Sequence, residues 1–128
     1  MLVYLVRHAE AAPGEPDDLR ALTEHGRRQA REVGKRLAAD QPPAAVRTSP
    51  LLRARQTGEA IARAVGATSQ PDERLAPGAT TQNVRAVAAE CDGPLAIVGH
   101  QPDCGLIVRE LTGNEPPFPA AGVVRLEL

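Results

Sequence analysis

The sequence predicts an α/β fold, a three-layer α/β/α sandwich around a mostly parallel central sheet. Short continuous apolar runs at Leu2 to Val6 and Leu95 to Val98 have the pattern of strands covered on both faces, as parallel strands are. Stretches in which small and apolar residues recur at helical spacing follow them, and strands alternating with helices in this way specify helices packed on a sheet. The length agrees: 128 residues, 42% hydrophobic and 24% charged, suit one domain over 1–128 and are too few for two.

Leu2 to Val6 is the first expected strand. Residues 9 to 21 contain Pro13, Gly14, Pro16 and no periodicity, which predicts a polar loop long enough to serve as a lid or binding loop. Thr23 is placed to cap a helix in which Glu24 favours the positive end of the dipole and Ala30, Val33, Leu37 and Ala38 share a face. That helix should end near Asp40, ahead of Pro42 and Pro43. Ala44 to Thr48 is a second strand, with Ser49 and Pro50 as cap and first residue of a helix whose Ala54, Gly58, Ile61 and Val65 form one face and whose stop is Gly66. A weak strand and turn are expected around Thr68 to Leu75. Thr81 should then cap a helix with Val84, Val87, Ala88 and Cys91 inward, broken by Asp92, Gly93 and Pro94. Leu95 to Val98 leads through Gly99 and His100 to a last helix closed by Gly113, and Val123 to Leu128 alternates like an edge strand with one wet face.

Charge and composition remove several classes of function. Fifteen Lys and Arg stand against 16 Asp and Glu, a net charge of −1, so there is no broad basic face for nucleic acid or an anionic membrane. Aromatic residues are 2% with no Trp, leaving no platform for stacked bases. The apolar start is too short for a secretory signal, because Arg7 and His8 follow it directly. No run reaches the roughly 18 apolar residues of a membrane span. A cytoplasmic protein is expected, and two cysteines without a CxxC pair suit a reducing compartment. Cys91 and Cys104 read as small core residues.

The chemistry gathers at three strand ends. Arg7 and His8 follow the first strand, Thr48 and Ser49 with Arg53 the second, and Gly99 and His100 the run at 95–98. Ligands of open α/β sheets bind at this edge, so two imidazoles and two guanidiniums distant in sequence should meet in one pocket suited to a dianion. Arg53 strengthens the reading. A cation in the first turn of a helix is disfavoured by roughly 0.3–1 kcal/mol unless an anion lies between it and the dipole, and a planar guanidinium can hold two phosphoryl oxygens at once. His8 beside Arg7, kept neutral by neighbouring guanidiniums, can act as nucleophile, and His100 can donate to the transferring group.

Each residue alone also has a structural reading, as a satisfied histidine or a solvated arginine; the set is more specific than its members. His25 belongs to the polar side of its helix. Arg55 points about 200° around the helix from Arg53 and reads as a rim or salt-bridge residue. Glu10 and Thr57 lie close enough in sequence to approach the pocket, although ordinary capping explains them equally well.

The segments LVRHAEA, LTEHGRRQA, TSPLLRARQT and VGHQPD resemble, in order and spacing, the motifs of the histidine phosphatase (phosphoglycerate-mutase-like) superfamily, and do so over nearly the whole chain. The resemblance implies that His8 is the nucleophile, phosphorylated during turnover, and that Arg7, Arg53 and His100 complete the phosphate pocket, with no metal and no cofactor. Ala9 stands where the commonest motif has Gly. A larger departure is at Ala76 and Pro77, where phosphomonoesterases and mutases of the family carry an acid that protonates the leaving oxygen. Glu73 and Asp72 lie just upstream, and Glu73 or Glu10 would have to substitute.

An alkoxide needs that proton, whereas the imidazole of phosphohistidine leaves readily once its other nitrogen is protonated. The chain is similar in this respect to the SixA-type phosphohistidine phosphatases, short and without inserted caps. The resemblance therefore implies a protein partner bearing phosphohistidine, and the chain itself is expected to be a monomer. The alternatives are a phosphomonoesterase for a small phosphorylated metabolite and a phosphate-binding module without activity, against which an intact His8 argues.

Overall fold

A computed structural model describes residues 1–128. Its strands are β1 (Leu2–Arg7), β2 (Ala45–Thr48), β3 (Ser69–Pro71), β4 (Leu95–Gly99) and β5 (Val123–Glu127), and its helices α1 (Glu24–Ala39), α2 (Leu52–Val65), α3 (Thr81–Ala88) and α4 (Asp103–Thr112). The sheet order is β3-β2-β4-β1-β5. All neighbours are parallel except β5, which runs antiparallel to β1 along the edge. The mostly parallel α/β/α arrangement expected from the sequence is present.

Alternation along the strands divides the core into two layers. Leu2, Tyr4 and Val6 of β1 pack with Val33 and Leu37 of α1 and Ala54 and Ile61 of α2. On the other face Val3 and Leu5 meet Val84 and Val87 of α3 and Ile107 and Val108 of α4. Register brings the carboxyl ends of the three central strands level, since Val98 pairs with both Val6 and Thr48, and Arg7 pairs with Gly99. The residues that follow these strands therefore emerge side by side.

Thr23 caps α1, its hydroxyl accepting from the Gly26 N–H at 2.9 Å, and the helix ends at Ala39, as its sequence predicts. Gly66 ends α2 with φ 74° and Gly113 ends α4 with φ 83°, the left-handed conformation that glycine adopts without steric cost.

Several local expectations are corrected. Ser49 and Pro50 do not open α2: the helix starts at Leu52 with Leu51 at the cap and no side-chain cap bond, and the Ser49 hydroxyl, just ahead of the helix, accepts from the Leu51 N–H at 3.2 Å while also pairing with His100. Thr80, not Thr81, caps α3 in a reciprocal box with Asn83, while Thr81 lies inside the first turn with its hydroxyl buried and unpartnered. The same helix stops at Ala88, before Asp92 is reached. Ala38 is exposed; Gly34 takes its place in the interface, where an added Cβ would stand 2.7 Å from Ala64 Cβ. Cys104 is buried as expected, whereas Cys91 is half-buried.

Candidate functional site

His8 and His100 extend from the adjacent ends of β1 and β4, and their rings lie 5.2 Å apart, centre to centre, at 59°. The backbone N–H of His8 donates to the Gly99 carbonyl at 3.0 Å, continuing the parallel ladder by one residue beyond the strand. The chain from 118 to 122 holds the other side: Arg7 N–H donates to Gly122 O at 3.0 Å, Ala121 N–H to His8 O at 3.1 Å, and Arg7 Nη1 to Phe118 O at 3.0 Å. Backbone hydrogen bonds thus clamp both Arg7 and His8. Arg7 Nε is buried without a partner, an unspent donor that an anion's oxygen would satisfy.

The tautomer of His8 follows from its neighbour. His8 Nδ1 lies 2.7 Å from the Ala9 carbonyl oxygen, which can only accept, so Nδ1 carries the hydrogen and the neutral ring keeps its lone pair on Nε2. Burial first, and then the charges of Arg53, Arg7 and Arg20, hold this imidazole below its ordinary value of 6.5 against the opposing effect of the Ala9 hydrogen bond. The guanidiniums invoked from the sequence contribute, but desolvation is the larger cause. Ala9 is fully buried and does not adopt positive φ, so no glycine is required there. Its N–H donates to Thr57 Oγ1 at 3.0 Å, and that hydroxyl donates to Arg53 O at 2.8 Å, which locks the His8 turn to the first turn of α2.

His100 is buried and shares a 2.7 Å hydrogen bond between Nε2 and Ser49 Oγ. Burial, then the charges of His8 and Arg53, push it down to about 4, with Asp17 opposing. Both imidazoles are thus neutral at pH 7.

Arg53 is buried at the second position of α2, facing the positive end of the helix. Its charge is met by a group the sequence reading passed over. Arg53 Nη1 donates to the Asp17 carbonyl at 2.8 Å and Nη2 to the Asp17 carboxylate at 3.2 Å, and Arg20 Nη1 reaches the other carboxylate oxygen at 3.0 Å. Hydrogen bonds from Arg20 and Arg53 hold the Asp17 carboxyl below the usual carboxylate range. Arg20 is itself steadied by Nε on Ala12 O at 2.8 Å. Asp17 and Arg20 lie in the aperiodic loop 9–21, where no spacing marks a functional side chain.

The structure therefore brings Arg7, His8, Arg53 and His100 together, adds Ser49, Asp17 and Arg20, and leaves other candidates outside. His25 is exposed, and Arg55 turns back to donate to Pro50 O at 2.9 Å. The Glu10 carboxylate accepts from Thr23 Oγ1 at 2.8 Å. Glu73 is exposed and Asp72 is paired with Arg74 at 2.6 Å. At the segment where an acid is missing, Gly78 N–H donates at 2.8 Å to the carboxylate of Asp103, a residue the sequence reading left unassigned. No three His, Cys, Asp or Glu side chains gather closely enough to hold a metal ion, and no helix is long and apolar enough to cross a membrane.

Comparison with known proteins finds the following similarities. The family model described as histidine phosphatase superfamily (branch 1) matches residues 3–77. An uncharacterized protein of Picosynechococcus sp. is 36% identical over 98% of this chain and 84% of its own. Among solved structures, the protein histidine phosphatase SixA complexed with tungstate superposes with a TM-score of 0.88 at 25% identity, covering 100% of this chain and 88% of that one. A SixA chain of Agrobacterium tumefaciens gives 0.84 at 28% identity over 98% and 90% of the two chains.

Proposed function

The chain belongs to the histidine phosphatase superfamily, branch 1, and from that premise we propose that it hydrolyses phosphohistidine on another protein through a covalent enzyme intermediate. The observation that carries the proposal is the Ala9 carbonyl on His8 Nδ1, which leaves an unprotonated Nε2 in a pocket of two guanidiniums. The lone pair of Nε2 attacks phosphorus in line. The bond from phosphorus to the substrate's imidazole nitrogen breaks with its electron pair going to that nitrogen, which leaves as neutral imidazole when its other nitrogen is already protonated. Water then attacks the phosphoryl group on His8, yielding phosphate and the free enzyme. Arg7, Arg53 and neutral His100 hold the equatorial oxygens and their developing charge.

The SixA relative complexed with tungstate, a tetrahedral oxyanion like phosphate, supports an anion in this pocket. The absence of a carboxylate at Ala76 and Pro77 favours a leaving group that needs no proton from the enzyme. One observation favours a second reading, a phosphomonoesterase for small metabolites: the Asp103 carboxylate lies against that same segment, accepting from the Gly78 N–H.

The deciding experiment is a trap. Protein mixed with a radiolabelled phosphohistidine peptide and quenched in base should carry acid-labile phosphate at His8, and His8→Ala should carry none and turn over nothing while remaining folded. Equal rates on phosphohistidine and on an alkyl phosphate would move the function to the metabolite phosphatase.

A further inference from the structure

The chain is nearly neutral overall, with a net charge of −1, yet its cations are not evenly spread. Between α1 and α2 lies an open groove of about 350 Å³, separate from the His8 pocket, with Arg27, Arg31 and Lys35 on one wall, Arg63 on the other and Glu59 as the one acidic lining residue. All four cations are exposed. Lys35 is paired with Glu32 at 3.4 Å; the three arginines have no carboxylate within ion-pair distance. Three unpaired guanidiniums converging on one groove repel one another, an arrangement that favours an anionic partner over none.

The place of the groove relates it to the reaction pocket. Both helices begin at the carboxyl edge of the sheet, where His8 and His100 sit, and run away from it. Along α2 the stripe Arg53, Gln56, Ala60 and Arg63 advances by one turn at a time, so the guanidinium of the pocket heads the same row that ends in the groove. Gln56 Oε1 accepts from Leu22 N–H at 2.7 Å, and both residues line the groove at its junction with the loop bearing Asp17 and Arg20. The groove thus starts beside the end of the loop that reaches Arg53.

The spacing limits the occupant. Arg27, Arg31 and Lys35 succeed one another every four residues, about 6 Å apart along the axis, and a single phosphate cannot span the row. A helical peptide with carboxylates four residues apart repeats at the same about 6 Å.

We infer that this groove docks an acidic, helical segment of the protein whose phosphohistidine enters the His8 pocket. The inference rests on the proposed function and supplies what a small open pocket lacks, a source of partner selectivity through charge complementarity. Docking here raises the local concentration of the phosphoryl group at His8 without contacting the reacting atoms, so it acts on KM and leaves kcat alone.

The test uses the full chain and two fluorescein-labelled helical peptides, one with Glu at every fourth position and one with Gln there, each prepared with and without a single phosphohistidine. Anisotropy should show the unphosphorylated Glu peptide binding at least tenfold more tightly than the Gln peptide, with affinity falling as NaCl rises. Arg27→Glu with Arg31→Glu should abolish that difference, raise KM for the phosphorylated Glu peptide by a similar factor, and leave kcat and the hydrolysis of free phosphoramidate unchanged, the last serving as the check that the variant is folded. Equal binding of the two peptides, an unaffected double variant, or displacement of the Glu peptide by a lower concentration of a single-stranded oligonucleotide would each overturn the inference. Tight, Arg27- and Arg31-dependent binding of the Glu peptide with no phosphate release by the wild type would support the groove and overturn the proposed activity, so the two failures are distinguishable.

Discussion

Arg53 is gripped by Asp17 from two directions, its Nη1 on the main-chain oxygen at 2.8 Å and its Nη2 on the carboxylate at 3.2 Å. The chain's own carboxylate thus stands on the guanidinium expected to hold phosphate, and it relieves the conflict between Arg53 and the positive end of α2. A dianion must compete with Asp17 for that guanidinium. Asp17→Asn is therefore expected to tighten inhibition by tungstate a few-fold, the scale of an exposed ion pair. Arg53→Ala should lower kcat/KM by roughly 10²–10⁴, the scale for removing one preorganised donor. Steady-state kinetics with tungstate as inhibitor measures both, and a neutral Arg53→Ala would remove that residue from the pocket.

The two histidines set the acid side of the pH profile. Burial and neighbouring cations keep His8 below 6.5 and His100 at about 4, so the nucleophile's lone pair is free at pH 7 and is lost as pH falls through the His8 value. The acid limb of kcat/KM on a phosphoramidate should lie below pH 6.5. Stability follows the same sign: an unfolded histidine takes up its proton near 6.5, before the folded one does, so the stabilising contribution is full above about 6.5 and declines as pH falls toward the folded values. Urea midpoints should drop between pH 7 and pH 5, and His100→Asn should flatten that drop.

Ala76 and Pro77 offer a position at which an acid can be restored. Pro77→Glu is expected to raise alkyl phosphatase activity relative to phosphohistidine activity by at least about tenfold, a conservative share of what a positioned general acid contributes. The ratio of the two kcat/KM values is the readout. If Asp103→Asn instead removes most alkyl phosphate hydrolysis from the wild type, Asp103 is the acid and the metabolite reading gains.

Gly26 has the opposite response to the one helix propensity predicts. Replacing an interior helix glycine by alanine ordinarily stabilises by roughly 0.5–1 kcal/mol, but here a Cβ would collide with the Glu10 carbonyl oxygen and stand 3.0 Å from its carbon. Backbone cannot swing aside as a side-chain tip can. Gly26→Ala should cost about 1–3 kcal/mol in urea unfolding and displace the loop that carries Asp17 and Arg20.

Turnover requires no metal in the proposed mechanism, because guanidiniums and imidazoles carry the charge stabilisation. Activity should survive dialysis against EDTA unchanged. Loss of activity with rescue by one divalent ion would replace the mechanism.

What the sequence by itself determined is local. Continuous apolar runs mark β1 and β4 because a strand buried on both faces has no wet side to alternate with, Thr23 marks the start of α1 because its hydroxyl is the nearest acceptor for an orphan N–H, and Arg7 closing β1, His8 and His100 just beyond β1 and β4, and Arg53 in the first turn of α2 are marked by their nearness to strand ends. The rest needed the tertiary structure, because its partners are far apart in the chain: Ser49 and His100 are 51 positions apart, Asp17 and Arg53 are 36, and Arg7 and Phe118 are 111. Ser49 reads as a helix cap from its neighbours, and its hydroxyl does take the Leu51 N–H just ahead of α2, but only the fold shows that the same hydroxyl also pairs with the buried His100 imidazole. Asp17 and Arg20 belong to no period, so only the path of their loop over α2 places Asp17 on Arg53 and Arg20 on the other side of the Asp17 carboxylate. The basic groove is of the same kind, since a helix showing Arg27, Arg31 and Lys35 to water is ordinary until α2 sets Arg63 across from them.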